Sequence, residues 1–337
     1  MISTFFTFSN HLIRLSSLFS LLWWLSACTP PHKIDLHPTS EETALIPPDA
    51  LLTMSDGVPI PLRIYQASVP PKAVILALHG FGDSRDAWEF FAPPLSQAGI
   101  IVVSPDQRGF GATMKSQDWS TTDRMVKDTQ EELIWAHNQY PPLPLYLMGE
   151  SMGGAVALMT DTQPPPFLSG TILLAPAALD IGQPWRMILS LIDALAPHWK
   201  LDGSSVPGHR IASDNMKAMR RMYFDPLTQH NSTIHPLYGL TELMKNAFQK
   251  APHVKPPVLM IFGGQDQFVT PQYTKRLINR LPTSTRIDEF PTAHHLLSRD
   301  KRRIPQDIIS WIFTPQKPLP SGGDIAAAVW NATAQPN

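Results

Sequence analysis

The chain has 337 residues, 43% of them hydrophobic, with 27 Lys and Arg against 28 Asp and Glu for a formal net charge of −1. That length accommodates one large core or a core with a cap, and the patterned apolar share excludes a disordered chain. Near-neutral charge without a dense Lys/Arg stripe excludes an electrostatic nucleic-acid surface, and one cysteine excludes an intramolecular disulfide framework.

The first element is a leader. Residues 1–27 carry Arg14 as their one formal charge, followed by the apolar stretch Leu15–Leu25 and then Ser26-Ala27-Cys28. A positive start, a short apolar run and small residues before a cut read as a secretory signal peptide, and the run is shorter than the about 20 residues a transmembrane helix needs. Leu25-Ser26-Ala27-Cys28 resembles the lipobox of bacterial lipoproteins. The resemblance implies cleavage after residue 27 and diacylation of Cys28. Thr29, where an aspartate would signal inner-membrane retention, implies anchorage to the outer membrane of the cell envelope. Residues 28–50, with Pro30-Pro31, Pro38 and Pro47-Pro48, then read as an extended tether.

A domain is expected over residues 51–313. Asp56-Gly57 is a hairpin turn signal between Leu51–Met54 and Ile60–Tyr65. Buried-strand patterns at Ala73–Leu78, Ile100–Ser104, Leu143–Met148, Thr171–Leu174, Val258–Phe262 and Thr285–Phe290 alternate with helical ones. The helices are expected at Asp86–Ala98, Thr121–Gln139, Met152–Thr160, Pro271–Arg280 and Ile304–Phe313. Such alternation predicts an α/β fold, a mostly parallel, doubly wound sheet with helices on both faces. The pattern breaks over residues 179–252, which hold helical stretches around Met187–Leu195 and Asn215–Phe224 and read as a helical cap insertion. Its apolar side chains, Met216, Met219 and Met222 with Trp185, Ile188, Leu189 and Ile192, are expected to form the cap's own core or, if they face the site, an acyl-accepting groove. Residues 314–337, rich in Pro and Gly, read as a flexible tail.

The chemistry is concentrated at the loops after the strands. Gly149-Glu-Ser151-Met-Gly153 sits between a strand and a small-residue helix, where G-x-S-x-G forms a sharp turn that thrusts the serine out of the sheet. Both glycines relieve crowding in that turn, and the Met152 N–H points at any oxyanion formed beside Ser151. A serine hydroxyl needs a base to take its proton and a third group to orient the base. Asp266, just past a buried strand in Gly263-Gly-Gln-Asp266, supplies the acid; His294 and His295 come after a further strand, and spacing alone leaves either as the base. Only a neutral imidazole, with an ordinary pKa near 6.5, accepts the proton, so activity should rise through mildly acidic pH. The loop His79-Gly-Phe81-Gly82 is expected to supply a second oxyanion donor from the Phe81 N–H, with His79 bracing the loop. Asp106-Gln-Arg108-Gly-Phe-Gly111 reads as a loop clamp. No H-E-x-x-H run points to a metal, and no cofactor is expected.

His79-Gly-Phe-Gly82, Asp106-x-Arg-Gly-x-Gly111, Gly149-x-Ser-Met-Gly-Gly154, Gly264-x-Asp266-x-x-Val269 and Ala293-His-His-Leu-Leu297 together resemble the α/β-hydrolase group of monoacylglycerol lipases and lysophospholipases. The resemblance covers roughly residues 50–313 and implies the α/β-hydrolase fold. It further implies a Ser151/Asp266/His295 triad, with His295 as the base because an aliphatic pair comes directly after it, and an oxyanion hole from Phe81 and Met152. The implied activity is hydrolysis of carboxylic esters such as monoacylglycerols or lysophospholipids through an acyl-serine intermediate. The alternatives are an amidase or peptidase on the same triad, or a non-catalytic lipoprotein. Glu150 departs from the histidine common before the nucleophile in this group and alters the local charge. The expected partners are a lipid or small-molecule ester and a membrane reached through Cys28; oligomeric state is left open.

Cys28→Ser should move the full-length protein from the membrane pellet to the soluble fraction; unchanged fractionation would remove the anchor.

Overall fold

The computed structural model describes residues 37–116, 118–202 and 210–333. The leader and Cys28 lie outside the described residues. The chain divides into residues 1–39 and a body of residues 40–337.

The body opens with β1 (Ala50–Thr53) and β2 (Pro59–Tyr65), antiparallel about the Asp56-Gly57 turn as the sequence predicts. Next come β3 (Ala73–Leu78), α1 (Ala92–Gln97), β4 (Ile100–Pro105), α2 (Thr122–Gln139), β5 (Leu145–Glu150), α3 (Met152–Thr160) and β6 (Leu168–Leu174). The cap interval contributes α4 (Gln183–Leu195), β7 (Lys200–Asp202), α5 (Met216–Phe224), β8 (Asn231–Thr233) and α6 (Ile234–Lys250). The chain then returns through β9 (Val258–Gly263), α7 (Pro271–Ile278), β10 (Arg286–Phe290), α8 (Ile304–Phe313) and α9 (Gly323–Thr333). The main sheet runs β1-β2-β4-β3-β5-β6-β9-β10. Beyond the antiparallel contacts of β2 with β1 and β4, every pairing is parallel.

The apolar runs become central strands because both faces of the sheet are covered. Successive side chains on β3 enter opposite cores: Leu76 and Leu78 join Leu147, Leu173 and Met260 beneath α2, α3 and α6. Ile75 and Ala77 join Met148, Ile172 and Ile261 beneath α1 and α8. Period-two alternation thus serves two cores at once. Parallel pairing brings the carboxyl ends of β3, β5, β9 and β10 to one edge, where ligands of open α/β sheets bind.

Four expectations are corrected. The helix expected over Asp86–Ala98 is a 3-10 turn at Arg85–Trp88 followed by a short α1, because Pro93 and Pro94 are tolerated only in a helix's first turn. The cap contains α6 and the small β7–β8 pair in addition to the two expected helices. The cap helices do not form a sealed core: α4 has no buried residue, with Trp185, Leu191 and Leu195 respectively 64%, 61% and 77% exposed, and Met216 on α5 is exposed as well. Residues 314–333, the described part of the expected tail, are not loose. Arg286 on β10 donates to the carbonyls of Pro315 and Lys317 at 2.8 and 2.7 Å and to Asp324 at 2.6 Å, while Trp330 of α9 packs on Phe262 at a ring-centroid distance of 4.9 Å.

The start of α9 covers a buried carboxyl. Asp288 of β10 is fully buried beside Asp307 of α8, and burial together with the neighbouring Asp307 charge pushes its pKa up to about 9. Its folded pKa lies above the unfolded one, so the stabilisation it brings is complete below about pH 4 and is lost as pH rises through the folded value. The melting temperature should therefore fall between roughly pH 5 and 9, and Asp288→Asn should flatten that fall. An equally steep fall in the variant would assign the loss to other groups.

Candidate active site

Ser151 stands at the carboxyl end of β5 with φ 51° and ψ −111°, a positive-φ conformation that a side chain rarely adopts. Backbone bonds on both sides hold it there. Its N–H donates to the Leu174 carbonyl at 2.9 Å, and its own carbonyl accepts from Ala155 and Ala177 at 3.0 and 2.8 Å. The flanking glycines are steric necessities. A Cβ on Gly149 would lie 2.2 Å from the Gly153 carbonyl oxygen, and one on Gly153 would lie 2.3 Å from that of Leu78.

The structure brings the three side chains of the expected triad together. His295 Nε2 lies 2.9 Å from Ser151 Oγ, and His295 Nδ1 lies 2.7 Å from Asp266 Oδ2. Asp266 Oδ1 accepts from the backbone N–H groups of Phe268 and Val269 at 2.7 and 2.9 Å, which fixes the carboxylate's orientation. The Phe268 ring stacks on the His295 imidazole at 5.1 Å between centroids. Of the two histidines that spacing left open, His295 lies between Ser151 and Asp266, and His294 turns away, with Nδ1 against the Gln265 carbonyl at 3.3 Å.

Met152, fully buried, is the first residue of α3, so its N–H has no partner within the helix and lies at the positive end of the helix dipole. The loop bearing Phe81 runs alongside, since a Cβ on Gly80 would touch Ser151 Cβ at 3.6 Å. Phe81 is held by edge-on packing against Phe110 at 5.2 Å and by Trp119 at 6.1 Å. His79 braces this loop. Its Nε2 accepts from the Gln107 N–H at 3.0 Å, and its Nδ1–H donates to the Gly80 carbonyl at 2.8 Å. Complete burial holds its pKa below the usual histidine value, in keeping with that neutral tautomer. The Asp106–Gly111 segment is a clamp. Asp106 accepts from the backbone N–H groups of Arg85 and Ala112, while Arg108 makes a two-pronged contact with Asp128 at 2.9 and 3.0 Å.

Several buried groups around the triad went unread in the sequence. Ser298 donates to Glu150 through both N–H and hydroxyl, and Arg299 pairs with Asp83. The irregular cap segment 211–214 runs across both triad loops: Ile211 N–H donates to the Gln267 side chain, Leu296 N–H to the Ala212 carbonyl, and Arg302 pairs with Asp214. Farther out, Arg221 of α5 contacts Asp86, Glu89 and Asp225 at 3.5, 3.1 and 3.1 Å. Each of these is a pairing between distant loops of ordinary composition; only the carboxylate beside the nucleophile carried a signal. Among the described residues no cluster of His, Cys, Asp and Glu has the arrangement to hold a metal ion.

His295→Ala should lower Ser151-dependent turnover by about 10⁶-fold, whereas His294→Ala should keep most of it. The reverse result would move the base to His294.

The profile of the hydrolase family described as serine aminopeptidase, S33, matches residues 69–302 and so spans the whole of this site. The monoglyceride lipase of Rattus norvegicus is 23% identical over 279 residues, spanning 78% of this chain and 88% of that protein. The monoacylglycerol lipase of Mycolicibacterium smegmatis is 23% identical over 269 residues, spanning 77% and 94%. Among solved structures, a soluble variant of the Saccharomyces cerevisiae monoglyceride lipase superposes with a TM-score of 0.66 at 19% identity, over 85% of this chain and 98% of that one.

Proposed function

The chain belongs to this family of α/β-fold serine hydrolases, and from that premise we propose that it cleaves carboxylic esters of lipid type, monoacylglycerols foremost, through an acyl-Ser151 intermediate. The observation that carries the reading is the unbroken chain of hydrogen bonds from Asp266 through His295 to Ser151 at a strained turn.

In the proposed reaction Ser151 Oγ attacks the ester carbonyl carbon as His295 Nε2 takes the hydroxyl proton, and Asp266 holds the imidazolium from the Nδ1 side. The N–H groups of Met152 and Phe81 receive the oxyanion, an interaction worth about 3 kcal/mol per donor at the transition state. As the tetrahedral intermediate collapses, the C–O bond to the alcohol breaks and His295 returns its proton to the leaving oxygen. Water then enters, gives a proton to His295 and attacks the acyl carbon. The fatty acid departs and Ser151 recovers its proton.

Two features support a lipid ester. Ala177, whose N–H bonds the Ser151 carbonyl, belongs to an apolar group with Leu179 and Val269, against which Ile181, Met244 and Tyr273 pack. This apolar group beside the nucleophile is of the kind that suits an acyl chain, with Met as an adaptable element. The lipase relatives match nearly the whole of this domain. The lipobox-like Leu25–Cys28 supports an anchor that would hold the enzyme at an envelope membrane, where such esters reside.

The deciding assay compares the enzyme with Ser151→Ala on short- and long-chain aryl esters, a monoacylglycerol, a lysophospholipid and an aminoacyl amide. Ser151-dependent turnover with preference for the monoacylglycerol is expected. Turnover of the amide alone would make the enzyme a peptidase or amidase, and silence across the panel from folded protein would overturn the hydrolase reading.

A further inference from the structure

The loop carrying His295 is fastened on its far side to the two segments that frame Ser151. Ser298 and Arg299 occupy consecutive places in a single 3-10 turn, Leu297–Arg299, that begins two residues after the base. Ser298 N–H donates to Glu150 Oε1 at 2.7 Å and Ser298 Oγ to Oε2 at 2.6 Å, so both carboxylate oxygens of the residue preceding the nucleophile are engaged. Arg299 meets Asp83, two residues beyond Phe81, in a two-pronged pair at 2.5 and 3.0 Å. Glu150 and Ser298 are fully buried, and Asp83 and Arg299 nearly so.

We infer that Glu150 is a positioning residue for the base: through Ser298 it sets the register of the His295 loop against Ser151, while the adjoining Arg299–Asp83 pair ties that loop to the oxyanion-donor loop. This rests on the hydrolase reading above. Glu150 touches neither Ser151 Oγ nor the His295 ring by a hydrogen bond, so it acts through Ser298. Both triad members involved come from segments far apart in sequence, and their 2.9 Å contact depends on how those segments seat on one another. A displacement of about 1 Å in such a contact costs on the order of 10²-fold in rate. A buried carboxylate is an expensive fastener, since an apolar contact of similar volume is often as stable or more so. What the carboxylate adds is direction: two donors from one residue fix both the distance and the angle of the turn. Burial raises the Glu150 pKa, and the Ser298 bonds, Arg299 and His295 oppose that rise.

The test uses Glu150→Gln, Ser298→Ala and the double variant, with Ser151→Ala as the blank, on a short-chain aryl ester that asks nothing of the cap. Steady-state kinetics, the second-order rate of phosphonylation by a fluorophosphonate probe, and thermal melting are measured on each. Each single variant should lose about 10- to 100-fold in kcat with KM nearly unchanged, phosphonylation should slow by a similar factor, and the double variant should be no worse than the poorer single one. Lower melting temperatures with unchanged kcat and phosphonylation would make the contact merely structural and overturn the inference, as would multiplicative losses in the double variant. Should Glu150→Gln fail to fold, Ser298→Ala, which keeps the N–H bond to Oε1, decides the matter by the same two rates. Wild-type protein inert to both ester and probe would overturn the hydrolase reading, and the inference with it.

Discussion

The first turn of α3 crosses the carboxyl end of β3 with no room for a side chain between them, and the site depends on that approach. The ideal Cβ of Gly153 would fall 2.3 Å from one β3 carbonyl oxygen and 2.6 Å from the next, that of His79. Because the backbones meet, the Met152 N–H, the Gly80–Phe81 segment and the Ser151 side chain share one small volume at the edge of the sheet. The same crowding holds Ser151 at positive φ, a strain that bonds from Leu174, Ala155 and Ala177 offset. A parallel sheet makes this possible, since it delivers the ends of β3 and β5 side by side and places β9 and β10, with the acid and base loops, farther along the same edge.

The base is the member of the triad furthest from this rigid centre, and the surrounding polar bonds converge on its loop. Asp266 holds the imidazole from one side, Glu150 and Asp83 hold the turn next to it, and Ala212 of the cap segment ahead of α5 receives the Leu296 N–H. Most of these groups are buried charges, whose desolvation opposes folding. The polar bonds on this loop fix the relative placement of segments between which a packed aliphatic core alone would only fill space.

The sheet was legible because its central strands are unbroken apolar runs bounded by Gly and Pro, and the elbow was legible because its glycines are spaced by sterics. Asp266 and the His294–His295 pair could be placed because each comes soon after such a strand, and the family resemblance alone chose His295 of the two. The fasteners could not. Nothing in the spacing of Asp83 and Arg299, or of Glu150 and Ser298, says that they meet, because loop-to-loop contacts depend on the finished sheet order. Two helices were missed for local reasons. In α6, Leu237, Leu240, Met244 and Phe248 keep a helical period, but Pro236 and the His-rich residues before it masked the start, although a proline is tolerated in a helix's first turn. The alanine-rich α9 comes after so many prolines and glycines that composition favoured a tail, while docking on Phe262 and Arg286 decides otherwise.

The cap is built of two unequal parts. α5 is bolted down: Arg220 pairs with Glu42 at 2.7 and 2.9 Å, and Arg221 reaches Asp86 and Glu89 on the body and the carbonyls of Glu42 and Ala44. Residues 42–44, within the stretch expected as an extended tether, thus lie across α5 as a strap. α4 has no buried side chain and is held by pairs at its rim, Arg186 with Asp180 and Glu242, and His235 with Asp193. Segments with little buried apolar contact open at the lowest free-energy cost. Motion that admits a bulky ester should therefore fall on α4, while α5 and the chain leading into it stay fixed to the loops that hold the triad. A cap divided in this way can yield to substrate on one side without loosening the Ser151–His295 contact on the other.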